Sequence, residues 1–247
     1  MIDMSNNNNA ENRQLQDTAF EELYIGVRRH EKRVLTDCQV MFLPDIEPSH
    51  VHYREWKIRK HSSQKLIGWM VKKNKPLKIL EVGCGNGWLS SRLSAIPNTS
   101  VVGIDVNEIE IAQAKRIFKK DNLEFIRASF NHGCYQPETF DIILFAASVQ
   151  YFPSLKIILL RALSCLSENG EIHILDSHFY KLRKVNDAVQ RTAKYYTALG
   201  FPEMSVLYFH HTLDELEPFN YQILSNPWRL VNRIGRKNPF YWVVVKH

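Results

Sequence analysis

The chain has 247 residues, of which 45% are hydrophobic and 23% are charged. This length predicts one large domain, or one domain with a small addition, and the apolar content excludes a wholly disordered chain. The sequence has no run of 18 apolar residues, and the polar start from Met1 to Asp17 lacks the pattern of a signal peptide. We therefore expect a cytoplasmic protein with no membrane partner, whose first 18 residues are flexible.

Cysteine spacing and charge say little about partners. Cys38, Cys84, Cys134 and Cys165 form neither a disulfide framework nor a CxxC metal pattern, so we interpret them as reduced thiols. The net charge is +6, and residues 28–78 contain 13 Lys and Arg against 5 Asp and Glu. This segment is either a surface for phosphate or an acidic substrate, or an ordinary solvated helix face. The second interpretation is favoured because no nucleic-acid-binding motif accompanies it.

The N-terminal third of the chain predicts helices. Apolar residues at helical spacing indicate a helix from Leu15 to Leu35 and another from Val51 to Lys73, which Pro76 stops. The two prolines within 36–50 indicate a loop. We divide the chain into a helical extension or lid, residues 1–75, and a main domain, residues 76–247.

From residue 77 onward, short apolar runs alternate with helical patterns. The expected strands are Leu77–Val82, Ser100–Asp105, Leu123–Ala128, Phe140–Phe145, Glu171–Asp176, Tyr221–Leu224 and Phe240–Val245. The expected helices are Asn86–Ala95, Glu108–Lys119, Ser154–Leu166 (ended by Asn169-Gly170), Tyr180–Leu199 and a short one capped by Thr212 to Glu215. This alternation predicts an α/β fold: a doubly wound, mostly parallel seven-stranded sheet with helices on both faces.

The first strand runs directly into three glycines at alternate positions, Gly83, Gly85 and Gly87. Such a turn lets the backbone approach a ligand without an intervening side chain. A dinucleotide site needs the pattern G-x-G-x-x-G, whereas Trp88 follows the third glycine here. Glu81, two residues before the turn, would repel a pyrophosphate and attract a cationic ligand.

Asp105 ends the second strand, at the position where an acidic side chain accepts both hydroxyls of a ribose. Taken alone, it could also cap the helix that follows. The glycine turn and Glu81 in their strand context favour the ribose role.

These motifs resemble those of the class I S-adenosylmethionine-dependent methyltransferases. Glu81 to Gly87 is similar to their first motif, E/D-x-G-x-G-x-G, and Gly103-Ile104-Asp105 to the second. Phe140 to Ser148 is similar to the fourth, and Leu163 to Leu175 to the element that closes this half of the domain.

The resemblance implies S-adenosylmethionine as cofactor, with S-adenosylhomocysteine (SAH) as its product. The residues that it places around the cofactor are Glu81, Gly83, Cys84, Gly85, Asn86, Gly87, Asp105, Val106, Ser129, Phe130, Ala146 and Ala147. Many members have an acid at the position of Ser129, so its contact with adenine would be weaker here.

Residues near the strand ends are candidates for acceptor binding and catalysis. A general base is needed only for a protonated amine or a hydroxyl acceptor. The candidates are His178 and Tyr151, followed by His132 and Asp176. Gln150 would lie beside the sulfonium, Tyr53 and Trp56 would form a lid or simply pack their helix, and Tyr195 would line an acceptor pocket or belong to the core of its helix. His210-His211 has no third ligand at a suitable spacing, so no metal is expected.

The leading hypothesis is methyl transfer by in-line displacement to an O, N or C atom of a small-molecule acceptor. An RNA or protein methyltransferase that uses the basic segment 28–78 is an alternative. Methylation of nucleic-acid bases is disfavoured because Ala146-Ala147-Ser148 replaces the Asn/Asp-Pro-Pro-aromatic signature. A catalytically inactive cofactor-binding partner protein is a second alternative, and Trp88 argues against a nicotinamide-dependent oxidoreductase.

Overall fold

A computed structural model describes residues 19–130, 139–228 and 238–247 of the chain. The helices are α1 (residues 19–30), α2 (Asp37–Phe42), α3 (Tyr53–Val71), α4 (Trp88–Leu93), α5 (Glu108–Ile117), α6 (Leu155–Cys165) and α7 (Val185–Leu199). The strands are β1 (Leu77–Val82), β2 (Thr99–Asp105), β3 (Leu123–Arg127), β4 (Phe140–Ala146), β5 (Leu166–Ser177), β6 (Asn220–Ser225) and β7 (Tyr241–Lys246). The first 18 residues, which we expect to be flexible, lie outside the described residues. Cys134 and the candidate base His132 lie outside them as well.

The strands form one seven-stranded sheet in the order β3-β2-β1-β4-β5-β7-β6. Strands β1 to β5 are parallel, and β7 is antiparallel to both of its neighbours. The prediction of a mostly parallel α/β sheet is therefore confirmed. All seven expected strands are present.

Successive side chains of a strand point to opposite faces of the sheet. Both faces carry buried apolar residues. Leu80 of β1 joins an apolar cluster with Ile158 of α6. Ile79, its neighbour, joins a second cluster with Leu66 and Met70 of α3. Helices therefore cover both faces, and α3 packs directly on the sheet.

A buried carboxylate fastens α3 to the sheet. Glu171 of β5 is 4% exposed. It is bonded by side chains from α3 and its flank, from β5 and from β7: Trp69, Lys73, His173 and Lys246. These bonds hold the N-terminal helical part and the sheet together, away from the carboxyl end of β1 where the glycine turn lies.

Several predicted elements differ from the structure. The helix expected to reach Leu35 ends at residue 30. Residues 36–50 contain α2, where Thr36 and Gln39 form a reciprocal capping box, a signal that the two prolines obscured. Helix α6 ends at Cys165 and β5 begins at Leu166, so Asn169-Gly170 lies within the strand instead of ending the helix. The helix expected from Tyr180 begins only at Val185, after a short 3-10 turn.

The end of the last long helix agrees with the expectation from the sequence. Helix α7 ends at Gly200, which has a left-handed φ of 84°. Within the described ranges, no helix is both long enough and apolar enough to cross a membrane. Cys38, Cys84 and Cys165 are free thiols.

Candidate active site

A cleft of about 660 Å³ opens at the carboxyl ends of the parallel strands. Its floor comes from the residues that follow β1, β2, β3, β4 and β5, and α1 and α3 form its opposite wall. Ligands in open α/β sheets bind at this edge. The predicted site residues that line it are Trp56, Glu81, Gly83, Cys84, Gly85, Asn86, Asp105, Val106, Ser129, Phe130, Ala146, Ala147, Gln150, Tyr151 and His178.

Three predicted site residues are not among those that line the cleft. Gly87, the last glycine of the turn, faces Phe125 of β3 instead of the cleft. Lys57 Nζ lies 5.7 Å from the centroid of the Tyr53 ring, and the Tyr195 hydroxyl donates to Glu31. Tyr195 is 47% exposed, so it belongs neither to the cleft nor to the core of its helix.

The glycine turn requires glycine for two separate reasons. Gly83, Gly85 and Gly87 all have positive φ angles, between 53° and 75°. A Cβ at Gly83 would lie 2.6 Å from Cβ of Ser148, and one at Gly87 would lie 2.4 Å from Cζ of Phe125. The turn is thus both left-handed and too tightly packed for a side chain.

Asp105 braces this turn from the end of β2. Its Oδ2 accepts the Gly85 N–H at 2.8 Å, and its Oδ1 accepts the Asn107 N–H at 2.9 Å. An ionised carboxylate offers about four lone-pair sites, so each oxygen retains one for a ligand. Burial raises the pKa of Asp105, against the effect of these bonds.

Glu81 is buried at the end of β1, where it accepts a hydrogen bond from the Ser90 hydroxyl. Burial raises its pKa to about 8, so the side chain is mostly protonated at neutral pH. A cation placed beside it would favour the ionised form.

A charged pair that the sequence analysis missed closes the cleft above the turn. Arg28 of α1 lies 3.8 Å from Glu110 of α5. Arg28 Nε and Glu110 Oε2 are buried without a hydrogen-bond partner among the described residues. Burial raises the pKa of Glu110 to about 7, against the attraction of Arg28. Such unpaired buried atoms are costly unless a ligand completes them.

Tyr151 stands at the centre of an aromatic wall. Its ring lies 5.8 Å from Phe20, 5.5 Å from Tyr24 and 6.0 Å from Tyr208. Burial raises the pKa of Tyr151, so its phenol stays protonated and acts as a hydrogen-bond donor. Phe20, Tyr24 and Arg28 recur every four residues on α1, and this spacing was the signal that could have identified that face.

His178 lies at the rim of the cleft, with its ring edge-on to Phe240 at 4.6 Å. Burial and the nearby Arg191 lower its pKa, so the imidazole is neutral at pH 7. His210 and His211 are bonded elsewhere: His210 to Thr192, and His211 to the carbonyls of the loop that carries Tyr151. Across the described ranges, no group of three or more His, Cys, Asp and Glu side chains forms a metal site.

Part of the basic segment 28–78 forms ion pairs. Arg33 and Arg59 both bind Glu55, and Lys60, Lys73 and Lys75 pair with Asp45, Glu171 and Asp141 respectively. The positive charge of these five side chains is therefore used within the fold.

The comparisons with known proteins agree with the fold and the turn. A family model described as a methyltransferase domain matches residues 73–228, and the chain therefore belongs to this family, the S-adenosylmethionine-dependent methyltransferases of class I.

Relatives are distant. The chain is 25% identical over 210 residues to the ubiquinone biosynthesis O-methyltransferase of Pelagibacter ubique, which covers 77% of this chain and 83% of that protein. The sterol 24-C-methyltransferase of Debaryomyces hansenii is 28% identical over 87 residues, 34% of this chain and 23% of that protein. That of Gibberella zeae is 21% identical over 170 residues, 67% of this chain and 44% of that protein. The chain thus spans less than half of these two sterol methyltransferases.

Solved structures share the fold. The YcgJ protein of Bacillus subtilis has a TM-score of 0.54 at 13% identity, over 76% of this chain and 99% of that one. The plantazolicin methyltransferase BpumL, solved in complex with SAH, has a TM-score of 0.56 at 18% identity, over 85% of this chain and 95% of that one. At these identities the likeness concerns the fold alone.

Proposed function

We propose that this chain is an enzyme that transfers the methyl group of S-adenosylmethionine to a small-molecule acceptor. The observation that carries the proposal is the left-handed glycine turn braced by Asp105 inside the cleft. The turn exposes backbone to a ligand, and the carboxylate keeps lone pairs free for two hydroxyls. A cytoplasmic location and the absence of a metal requirement stay predictions from the sequence.

The residues of the cleft fit the cofactor. Asp105 would bind the ribose, and Gly83 and Gly85 would lie against the methionyl part. Val106, Ser129 and Phe130 would border the adenine, and Ala146 and Ala147, with Cys84, Asn86 and Glu81, would complete the surroundings. The small side chains after β4 leave room for an acceptor beside the reacting carbon.

The charges that line the cleft suit a cationic ligand. Its carboxyl groups are those of Glu31, Glu55, Glu81, Asp105, Glu110 and Asp176, against the guanidinium groups of Arg28, Arg33 and Arg59. When bound, the cofactor supplies a methyl group activated by a sulfonium. Glu81, which is mostly protonated, and Glu110, whose pKa is about 7, can both ionise further in response to that charge.

The protein's main contribution is alignment and exclusion of water. Holding two reactants in line can be worth roughly 7–11 kcal/mol of the barrier. Helix α1 covers the cleft with Phe20, Tyr24 and Arg28, which supports a lid role for residues 1–75, and Trp56 of α3 packs edge-on to Trp88 beside the turn. His178, Tyr151 and Gln150 would face the acceptor. The size of the cleft supports an acceptor that is a small molecule.

Calorimetric titration with S-adenosylmethionine, SAH and NADH tests cofactor choice. We expect binding of the first two and none of NADH. Release of SAH during incubation with acceptor pools then tests turnover. If neither S-adenosylmethionine nor SAH binds, the proposal is overturned. If they bind but no SAH is released during incubation with acceptors, the chain is a cofactor-binding protein instead of an enzyme.

A further inference from the structure

Two neighbouring residues at the base of the cleft adopt a conformation that side chains usually avoid. Ala147, after β4, has a φ of 56°, and Asp176, near the end of β5, has a φ of 53°. The Ala147 N–H donates to the Leu175 carbonyl at 2.9 Å, so the two strained positions are adjacent. Strained residues cluster where a site requires a particular side-chain direction. Both residues line the cleft.

The two oxygens of Asp176 have different surroundings. Oδ2 accepts the Ser62 hydroxyl of α3 at 2.8 Å. Oδ1 is buried and has no hydrogen-bond partner among the described residues. A buried carboxylate oxygen without a donor is unfavourable, and a hydroxyl of a bound molecule would satisfy it. Ser62 fixes the carboxyl group while leaving this second oxygen available.

The charges around Asp176 suit proton transfer near neutral pH. Burial raises its pKa to about 6, while Arg59 opposes this rise and Glu55 adds to it, both from α3. Arg59 is itself bonded to Glu55 at 3.0 Å, which moderates its effect. The carboxylate is therefore ionised at pH 7 and more basic than an exposed one. His178, two residues further along the chain, lines the same cleft.

Part of the cleft wall is aromatic. Tyr151, Tyr208, Phe209 and Phe240 line the same cleft. Flat rings stack on such surfaces or pack edge-on. A phenolic hydroxyl, with a pKa near 10, is a far easier proton donor to a carboxylate than an aliphatic alcohol is.

We propose that Asp176 is a catalytic residue that takes the proton from a hydroxyl group on an aromatic ring of the acceptor. The inference rests on the proposed methyl transfer. The phenolic oxygen forms a bond to the methyl carbon, the carbon–sulfur bond breaks with its electron pair left on sulfur, and the phenolic proton passes to Oδ1 of Asp176.

The test compares catechol, benzyl alcohol and benzylamine as acceptors by the rate of SAH release. We expect wild-type protein to methylate catechol best. Asp176→Asn, which tolerates the left-handed backbone and is nearly isosteric, should lower kcat with catechol by about 100-fold or more while the Kd for SAH stays within about two-fold. Wild-type kcat/KM should fall below about pH 6, and this acidic limb should vanish in Asp176→Asn.

Two further variants make the assignment specific. Ser62→Ala keeps the carboxylate but removes a hydrogen bond that favours its ionised form, so the acidic limb should move to higher pH. His178→Ala should retain the limb. Failure to bind SAH would refute the proposed function itself. With SAH binding intact, an absence of methyl transfer to catechol, preference for benzylamine, or a limb that is lost in His178→Ala and kept in Asp176→Asn would overturn the role of Asp176.

Discussion

The substitution Asp105→Asn tests the ribose-binding role of this carboxyl group with almost no change in side-chain volume. Both carboxylate oxygens already accept a backbone N–H, from Gly85 and from Asn107. An amide of the same shape has only one oxygen, so its NH₂ group would face one of these donors. The variant cannot support the turn on both sides and also accept two ribose hydroxyls.

The expected loss follows from the number of bonds. A hydrogen bond to a charged group contributes about 1.5–3 kcal/mol. Losing one such bond to the ribose should weaken SAH binding roughly 10- to 200-fold. Isothermal titration calorimetry with SAH at pH 7.5 measures the change directly.

Asp141→Asn is the matched control. Asp141 also accepts a backbone N–H, from Lys78 at 2.9 Å, but it does not line the cleft. We expect this variant to bind SAH like the wild type. Equal SAH affinity in a folded Asp105→Asn protein would refute the ribose assignment, and an equal loss in both variants would show that the effect is not local.

Three further predictions concern stability, each measured by chemical unfolding. Gly87→Ala should lower the free energy of unfolding by about 1–2 kcal/mol for its left-handed backbone and by roughly 1–3 kcal/mol more for the contact with Phe125. Gly200→Ala, whose Cβ would have no atom within 4 Å, should lose only the first part, and equal losses in the two variants would contradict this. Glu81 has a pKa of about 8 in the folded protein against 4.5 in the unfolded chain, so between these values its ionisation favours the unfolded chain and wild-type stability falls as pH rises. Glu81→Gln should gain on wild type by about 1 kcal/mol per pH unit there, and a constant difference would contradict the assignment. Burial opposes ionisation of Glu171, but its bonded donors hold its pKa well below the usual value. Glu171→Gln should therefore lower the free energy of unfolding by about 3–5 kcal/mol at pH 7, and this loss should shrink as pH falls below about 4. A loss that does not change with pH would contradict this reasoning.

The sheet and the turn could be predicted because their determinants are local. Most of the strands contain a short apolar run, and the turn occupies seven consecutive residues from Glu81 to Gly87. Asp105 follows one strand later, so the motif order also placed it at the same edge. Such features need no knowledge of which distant residues meet.

The charged pair above the turn could not be predicted, because it depends on tertiary pairing. Arg28 and Glu110 are far apart in sequence, and each alone resembles an ordinary surface charge on a helix. The orientation of the Asp176 carboxyl group depends on the Ser62 hydroxyl, which bonds one oxygen and leaves the other without a partner among the described residues. Tyr195 shows the opposite error, since an aromatic residue at helical spacing turned outward to bond Glu31.

The cleft is built from two consecutive parts of the chain. The family model begins at residue 73, whereas Phe20, Tyr24, Arg28, Glu55 and Arg59 precede it. The matched part holds the turn and Asp105, and the preceding helices supply much of the opposing surface. Substitutions in these preceding helices can therefore reshape the opposing surface of the cleft without touching the glycine turn or Asp105.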